Sequence, residues 1–397
     1  MKKIICLILV IITLTLVACE ENEDFEYSAT ESTVNDEVLE SNGEDTENLS
    51  ENNEAVIDAY LPKNIYCAVG RTIELYNNQV CLQAQKYHMR WVCSIGKSMS
   101  RKFSVTGLET QIGDYSLELE IYDDELNIVW ESKSTLHIVS GLLGENKTVC
   151  PIGDSLTNGK AWLSEVMRLS GGSVSFVGTY SGAAKDADGA WQYFGHEGRS
   201  GFAAKSYNSA AVYSFGGETE AHAFWDGERF NWNYYKEKSG VSPDAVQIFL
   251  GTNGIADDNT ENAGYIKQIV DAIRRDDANI PIFVVNTIYR GSQDGIGVQQ
   301  SNDGYASAVG MFKYNEDKKV MDLMRKLDEL LDGMDGVYMI NLALTHDSEY
   351  NFGSVETPVN PRAEQIECLP KESVHPTEQG YFQMADVIYS VYCAALG

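Results

Sequence analysis

The spacing of apolar positions changes near residue 146, and this change divides the folded part of the chain into two kinds of structure. Before it, apolar and polar residues alternate at 71–76 and 115–122, with a turn signal at 123–127 and a further apolar stretch at 136–139. Alternation of this kind is typical of strands that bury one face. We therefore predict a small antiparallel β-sandwich domain over 56–145.

From residue 148 onward, short apolar runs alternate with segments whose apolar residues recur every three or four positions. This order predicts an α/β domain with a mostly parallel sheet over 146–397. Its predicted strands are 148–152, 174–178, 245–250, 281–286 and 337–342, and its predicted helices are 160–169, 262–276, 314–332 and 377–395. The insertions at about 179–240 and 287–312 are long, and long loops usually carry the binding surface.

The amino-terminal residues resemble a lipoprotein signal peptide. Met1-Lys-Lys precedes the apolar run Ile4–Val17, which has the length of a signal-peptide core and is shorter than the roughly 20 residues of a spanning helix. Leu16-Val-Ala-Cys19 resembles a bacterial lipobox, which implies cleavage after residue 18 and lipidation of Cys19. The alternative is an ordinary secretory signal. We expect an extracytoplasmic protein, lipid-anchored to a bacterial membrane.

Residues 19–55 are predicted to be an acidic, disordered linker. Positions 20–55 hold 14 acidic residues and no Lys or Arg, which is almost half of the net charge of −29. A segment with few apolar residues and mutually repelling charges cannot form a hydrophobic core. A chain this acidic is also not expected to bind nucleic acid, because phosphates are bound mainly by Lys and Arg.

The cysteines and glycines indicate no metal or cofactor. Beyond Cys6 and Cys19, six cysteines remain, and their spacing gives neither a Cys-x-x-Cys pair nor a zinc pattern. Disulfides and buried free thiols are both compatible with an exported protein, so no bridge is predicted. No Gly-rich phosphate loop is present, and no cofactor is expected.

One candidate nucleophile follows the first predicted strand of the α/β domain. Gly153-Asp-Ser155 breaks the strand, and helical spacing begins at Ala161. A sharp turn into a helix would lift the Ser155 hydroxyl to the carboxyl edge of the sheet, at a helix N-terminus that favours negative charge. That position suits nucleophilic catalysis, although a plain turn would look the same.

Three further stretches extend this interpretation. With Gly153-Asp-Ser-Leu156 they are Glu197-Gly-Arg-Ser200, Gly251-Thr-Asn253 and Glu372-Ser-Val-His-Pro376. In this order the four pieces resemble the motifs of the SGNH/GDSL hydrolases, in particular bacterial members related to carbohydrate esterases. The resemblance covers about 146–397 and implies a three-layer α/β hydrolase domain.

The resemblance also implies the site residues. Ser155 is the expected nucleophile, His375 the general base and Glu372 the acid that orients the imidazole. The expected oxyanion donors are the backbone N–H groups of Ser155 and Gly198 and the side-chain amide of Asn253. Relatives usually carry Asp where this chain has Glu372, and often Asp after the Asn, where this chain has Gly254.

Other polar residues have two interpretations each. His196 is either a site residue or an ordinary loop residue, and His346-Asp347 either lines the groove or makes structural hydrogen bonds. Arg199 contacts either substrate or a local acid. The sandwich aromatics either stack on sugar or fill the core; they are Tyr66, Tyr76, Tyr87, Trp91, Tyr115 and Trp130.

The sequence therefore predicts a surface-tethered serine esterase that removes short acyl groups, chiefly acetyl, from a polysaccharide. The Gly-, Tyr- and Trp-rich loops, such as Trp225–Trp232, suit stacking on sugars and lack a continuous aliphatic lining. Two alternatives stay open. One is a lipase or lysophospholipase on the same fold, and the other is a polysaccharide-binding lipoprotein with a degenerate site.

Overall fold

The structure is a computed structural model that describes residues 57–291, 312–370 and 373–397. The predicted signal peptide, Cys19 and the acidic linker lie outside these ranges, as does Glu372. Within them, none of the helices has the length and apolar character that a membrane crossing needs. The six described cysteines are free thiols; they are Cys67, Cys81, Cys93, Cys150, Cys368 and Cys393.

The first part of the described chain is rich in strands. Its elements are β1 (Asn64–Ala68), β2 (Thr72–Tyr76), α1 (Asn77–Val80), β3 (His88–Val92), β4 (Lys97–Ser98), β5 (Lys102–Thr106), β6 (Gly113–Tyr122) and β7 (Ile128–Val139). They form one sheet of order β1-β7-β6-β3 and another of order β2-β5-β4. The predicted alternation holds in β6, where Leu117, Leu119 and Ile121 are fully buried. The strands are not all antiparallel as predicted, because β1 pairs with β7 in parallel.

Some aromatic residues of this region lie in its core. Tyr76 and Trp91 are buried, and the Trp91 ring packs on Phe103 with centroids 5.7 Å apart. Tyr66 stacks on His137 at 4.7 Å. For Tyr76 and Trp91 the core-filling alternative is therefore correct, and a sugar cannot reach them.

The second part of the chain alternates strands and helices. Its elements are β8 (Lys147–Gly153), α2 (Ala161–Leu169), β9 (Val174–Phe176), β10 (Tyr180–Lys185), β11 (Trp191–Gly198), α3 (Ala204–Tyr207), α4 (Trp232–Ser239), β12 (Ala245–Phe249), α5 (Thr260–Asp276), β13 (Ile282–Val285), α6 (Lys313–Leu331), β14 (Val337–Ile340), α7 (Leu342–Thr345), β15 (Ser354–Pro358), β16 (Ile366–Pro370) and α8 (Glu378–Leu396). Each predicted strand and helix has a counterpart. The insertion expected at 179–240 is not simply a loop, since it contains the β10–β11 hairpin and α4.

The central sheet places its ligand-binding edge beside the predicted nucleophile. Five parallel strands follow the order β9-β8-β12-β13-β14, and β11 joins β8 near its carboxyl end. When these five strands are numbered by their position along the chain, the order is 2-1-3-4-5, that of a doubly wound fold. In such folds ligands bind outside the carboxyl ends of the first and third strands. Here those strands are β8 and β12, which lead into Ser155 and Asn253.

Helices cover both faces of this sheet, which gives three layers. Alternate residues of β12 point to opposite faces. Ile248 packs with Ile269 of α5, while Phe249 lies against Trp162 of α2, with rings 6.5 Å apart. Helices α2 and α8 contact each other on the Phe249 side.

The strand-rich part packs directly on the last helix. The Ala68 N–H donates to Ser390 Oγ at 3.0 Å, and Arg71 pairs with Asp386 at 3.1 Å. Gln79 donates to the His346 carbonyl at 2.7 Å. These contacts belong to one compact unit, residues 55–397. The separate sandwich domain over 56–145 stays a prediction.

Candidate active site

Ser155 lies in a hydrogen-bonded turn directly after β8. The Asp154 carbonyl accepts from the N–H groups of Thr157 at 3.1 Å and Asn158 at 3.0 Å, so the chain reverses around the serine. Helix α2 begins only at Ala161. The expectation that Ser155 sits at a helix N-terminus is therefore wrong, because the chain makes a tight turn before the helix starts.

Glycine at position 153 allows this turn to form. A Cβ there would lie 2.1 Å from Thr157 Oγ1 and 2.8 Å from the Phe249 carbonyl oxygen. The Tyr207 hydroxyl lies 2.8 Å from the Gly153 carbonyl and 2.6 Å from the Glu197 carbonyl, and it can donate to either. The carboxyl ends of β8 and β11 thus both contact the buried hydroxyl of Tyr207.

The structure brings His375 to Ser155. Nε2 of His375 lies 2.9 Å from Ser155 Oγ, and both residues are half-buried. The segment that carries the histidine is fixed on two sides. The Gly291 N–H donates to the Ser373 carbonyl at 3.0 Å, and Pro376 forms a bridge with Phe352. The predicted nucleophile and the predicted base are therefore within hydrogen-bond reach.

The acid of the predicted triad, Glu372, lies outside the described residues, and its pairing with His375 stays a prediction. Asp347 is engaged elsewhere. Its Oδ1 accepts from the N–H groups of Glu349 at 3.1 Å and Tyr350 at 3.2 Å, and Arg101 lies 3.4 Å away. Of its two interpretations, the structure shows the hydrogen-bonded one.

Asn253 reaches the site from the end of β12. Its Nδ2 donates to Asp154 Oδ2 at 3.3 Å and to the Phe202 carbonyl at 3.1 Å. Asp154 is fully buried, and its Oδ1 accepts from the Leu156 N–H at 2.8 Å. The predicted oxyanion donor is thus tied to the residue before the nucleophile.

Gly198 lies beside the nucleophile turn, but its N–H is occupied. Gly198 pairs with Gly153, and a Cβ on it would lie 2.5 Å from the Asn158 nitrogen. Its N–H donates to His196 Nδ1 at 3.1 Å. Burial, with a smaller effect from Arg199, lowers the pKa of His196 to about 4, so the ring is neutral at pH 7 and Nδ1 can accept.

Arg199 makes local ion pairs and is not exposed to substrate. Its guanidinium is fully buried and lies 2.9 Å from both Glu197 and Glu218. The Tyr180 ring stacks on it at 5.0 Å, and Glu197 also accepts from Tyr235 at 2.8 Å. The salt-bridge alternative is therefore the correct one. The buried network of Arg199 with Glu197 and Glu218 also holds the end of β11 in place.

The aromatics that were expected to stack on sugars are mostly internal. Phe230 and Trp232 are buried against Phe224, with centroids 4.9 Å and 6.2 Å away. Exposed rings lie elsewhere, at Trp191, Tyr193 and Phe215, of which Phe215 is 88% exposed. Sequence reasoning missed Phe215. Its neighbour Tyr213 accepts from Asn158, three residues after the nucleophile, at 3.2 Å.

A cavity of about 750 Å³ lies beside the histidine segment. Gly291 and Phe352, which contact that segment, line it together with Lys313, Asp317 and Tyr350. Ser155 and His375 are not among its lining residues, so the cavity adjoins the histidine segment but does not contain the predicted catalytic pair. Among the described residues, no group of three His, Cys, Asp or Glu side chains is placed to hold a metal.

Comparison with known proteins finds likenesses in structure alone. No protein-family model and no curated protein matches the chain. Among solved structures, an acetyl esterase mutant with acetate ion is 17% identical, with 61% of this chain and 94% of that chain covered and a TM-score of 0.36. A Clostridium thermocellum family 3 carbohydrate esterase is 16% identical, with coverages of 64% and 100% and a TM-score of 0.34.

A GDSL-like lipase from Bacteroides ovatus is 13% identical over 85% of this chain and 79% of that chain, with a TM-score of 0.31. These likenesses concern the fold. Likenesses of this size do not assign a substrate, which has to be inferred from the side chains of this chain.

Proposed function

We propose that the protein is a serine esterase that removes short acyl groups, chiefly acetyl, from a carbohydrate. The observation that carries the proposal is the 2.9 Å separation of Ser155 Oγ and His375 Nε2 at the switch point of the sheet. A serine within hydrogen-bond reach of an imidazole is the arrangement that acyl transfer requires.

The reaction follows from this pair. Ser155 Oγ attacks the acyl carbon while His375 Nε2 takes its proton and then gives it to the departing alcohol. Water, deprotonated by the same imidazole, next releases the acid from the serine ester. Glu372 is proposed to orient the ring and balance its charge.

The negative oxygen of the tetrahedral intermediates needs donors, for which we propose the N–H groups of Ser155 and Gly198 and the Asn253 amide. One such donor typically lowers the barrier by about 3 kcal/mol. Since the Gly198 N–H donates to His196 in the structure, it must change its partner when the oxyanion forms.

The acyl group is proposed to be short because the neighbourhood of the serine is polar. Asn158 donates to Ser200 at 3.0 Å and to Tyr213 at 3.2 Å, where a long acyl chain would need continuous aliphatic contact. Each unburied methylene forgoes about 0.8 kcal/mol. The exposed Phe215 ring offers a flat surface on which a sugar can stack.

A series of aryl esters of increasing chain length tests the proposal, together with acetate release from acetylated xylan, mannan and pectin. We expect the rate to peak at acetyl, acetate to be released from one of the polymers, and the Ser155→Ala variant to be inactive. A peak at eight carbons or longer (about 5 kcal/mol of methylene burial) would instead assign a lipase or lysophospholipase.

A polysaccharide-binding protein without turnover is the second candidate. It is favoured by the occupied donors, since the Gly198 N–H and the Asn253 amide already have acceptors within the protein. A fluorophosphonate probe distinguishes the two, because only an activated serine reacts with it. Labelling that is lost in Ser155→Ala supports the esterase, and no labelling supports the binder.

We also propose that the protein acts outside the cytoplasm, anchored to a membrane through lipid on Cys19. The support is the Leu16-Val-Ala-Cys19 sequence after a short apolar run. The acidic segment over 19–55 would then separate the folded part from the membrane surface.

A further inference from the structure

Asp154 connects the two loops that meet at the switch point of the sheet. One carboxylate oxygen accepts from the Leu156 N–H at 2.8 Å, inside the nucleophile turn. The other lies 3.3 Å from Nδ2 of Asn253, which follows a different strand. The Asp154 side chain is fully buried, so bulk water cannot replace either contact.

These contacts fix the orientation of the Asn253 amide. Its nitrogen donates to the Asp154 carboxylate on one side and to the Phe202 carbonyl at 3.1 Å on the other. An amide turned by half a rotation would present its oxygen to both acceptors. The carboxylate therefore keeps the NH₂ group, and not the oxygen, in this position.

Only the ionised carboxylate makes both contacts without competition. A protonated Asp gives one oxygen an O–H donor, which competes with the amide donor it faces. Arg290 and His375 favour the ionised form, and burial opposes it more strongly and raises the pKa of Asp154 to about 7. The buried Tyr207 phenol also lies within electrostatic range of the carboxylate.

We propose that Asp154 is a positioning residue: it keeps one N–H of the Asn253 amide in place while the other N–H turns from the Phe202 carbonyl to the oxyanion. The site then works fully only when this carboxylate is ionised. This inference rests on the proposed esterase function and adds to it a residue that never touches the substrate. It acts through Asn253, so removing Asn253 must remove its effect.

A double-mutant cycle tests that dependence. We expect Asp154→Asn to lower kcat for an aryl acetate by about 10- to 100-fold while KM changes by less than about 2-fold, because the amide is needed in the transition state. In an Asn253→Ala background, Asp154→Asn should cost less than about 3-fold. An equal loss in both backgrounds would overturn the proposal, since the carboxylate would then act through the turn alone.

Asp244→Asn is the matched control. Asp244 is an exposed carboxylate that accepts from the Thr148 N–H at 2.7 Å, near the other end of β8. It should leave kcat and KM unchanged. Thermal unfolding of each variant shows whether Asp154→Asn folds.

A spectroscopic measurement depends neither on turnover nor on the folding of Asp154→Asn. The Asn253 side-chain amide signals can be identified in an NMR spectrum as those missing in Asn253→Ala. We expect them to shift with a midpoint near pH 7, following the pKa of Asp154, and to do so in His375→Ala as well. Signals that stay constant from about pH 5 to about pH 9, or that lose the shift in His375→Ala, would refute the Asp154–Asn253 link.

If no ester is turned over but the amide signals still titrate, the esterase proposal fails and the pairing stands. If turnover is found but the signals do not titrate, the esterase stands and the role of Asp154 fails.

Discussion

The Ser155 hydroxyl lies 2.9 Å from Nε2 of His375, although 220 positions separate the two residues in the sequence. Each comes from a segment of its own: the turn after β8 carries the serine, and the chain just before α8 carries the histidine. The serine follows β8 directly, whereas the histidine segment is held by backbone contacts of Ser373 with Gly291 and of Pro376 with Phe352. The pair is therefore set by the fold as a whole.

Removing either member of this pair should abolish nearly all turnover. We expect Ser155→Ala and His375→Ala each to lower kcat by at least about 10³-fold, and the double variant to be little worse, because the two groups act as a unit. Aryl acetate hydrolysis measures this, and His88→Ala, on an exposed histidine, is the control. Losses that multiply would show that the residues act independently.

Glu372→Gln should cost less than either of these changes, since glutamine would keep the proposed hydrogen bond to the imidazole and would lose only the charge. The measurement is kcat over a range of pH. Wild-type activity in this variant would mean that another acid serves His375 or that the dyad works alone. Asp347→Asn then tests the one alternative acid, which in the structure faces Arg101.

Cys19→Ala should release the protein from the membrane fraction or leave it unprocessed, because the thiol that is proposed to carry the lipid is lost. Membrane fractionation and metabolic lipid labelling measure the two effects. Lipid labelling at the wild-type level would refute the anchor.

Gly153→Ala should damage both stability and activity. The added Cβ meets Thr157 Oγ1 and the Phe249 carbonyl, so the turn that carries Ser155 must shift. We expect a loss of roughly 1–3 kcal/mol in the free energy of unfolding and of at least about 10-fold in kcat.

The control is Gly264→Ala in α5, where a Cβ meets nothing within 4 Å. It should add roughly 0.5–1 kcal/mol without changing kcat. Wild-type kcat in Gly153→Ala would contradict this account of the turn.

The buried His346 should make the protein less stable in acid. Burial lowers its pKa to about 3, so between about pH 6.5 and pH 3 the unfolded chain binds a proton that the folded protein does not. The free energy of unfolding therefore falls as the pH falls through this window. From about pH 7.5 to about pH 5, wild type should lose about 2 kcal/mol more than His346→Leu. Urea unfolding at both pH values measures this; equal losses would show that His346 takes up its proton in the folded state.

The sequence was sufficient to predict the elements that depend on local pattern. The strand before Ser155 and the helix after His375 have apolar periods that hold over their whole length, and both occur where predicted. The motifs around Ser155, Asn253 and His375 could be found because each directly follows or precedes such an element.

What could not be predicted depends on pairing between distant residues. The sequence around His196 and Gly198 does not indicate that the Gly198 N–H donates to the His196 ring. The Arg199 ion pairs need Glu218, whose position depends on the whole 179–240 insertion. The composition of that insertion predicts a binding surface, but composition does not distinguish a ring that faces solvent from Trp232, which is buried in the core.

The hydrogen bond from Ala68 to Ser390 has a consequence for how the chain folds. It joins β1 to α8 across 322 positions, so the first strand reaches its final partner only after the last helix has been synthesised. Contacts between residues so far apart are costly in loop-closure entropy and slow to form. The strands that are synthesised first are therefore not the first to complete their packing. The amino-terminal strands can complete it only when the carboxyl-terminal helix is present, and a nascent chain that lacks α8 leaves their apolar face exposed to solvent.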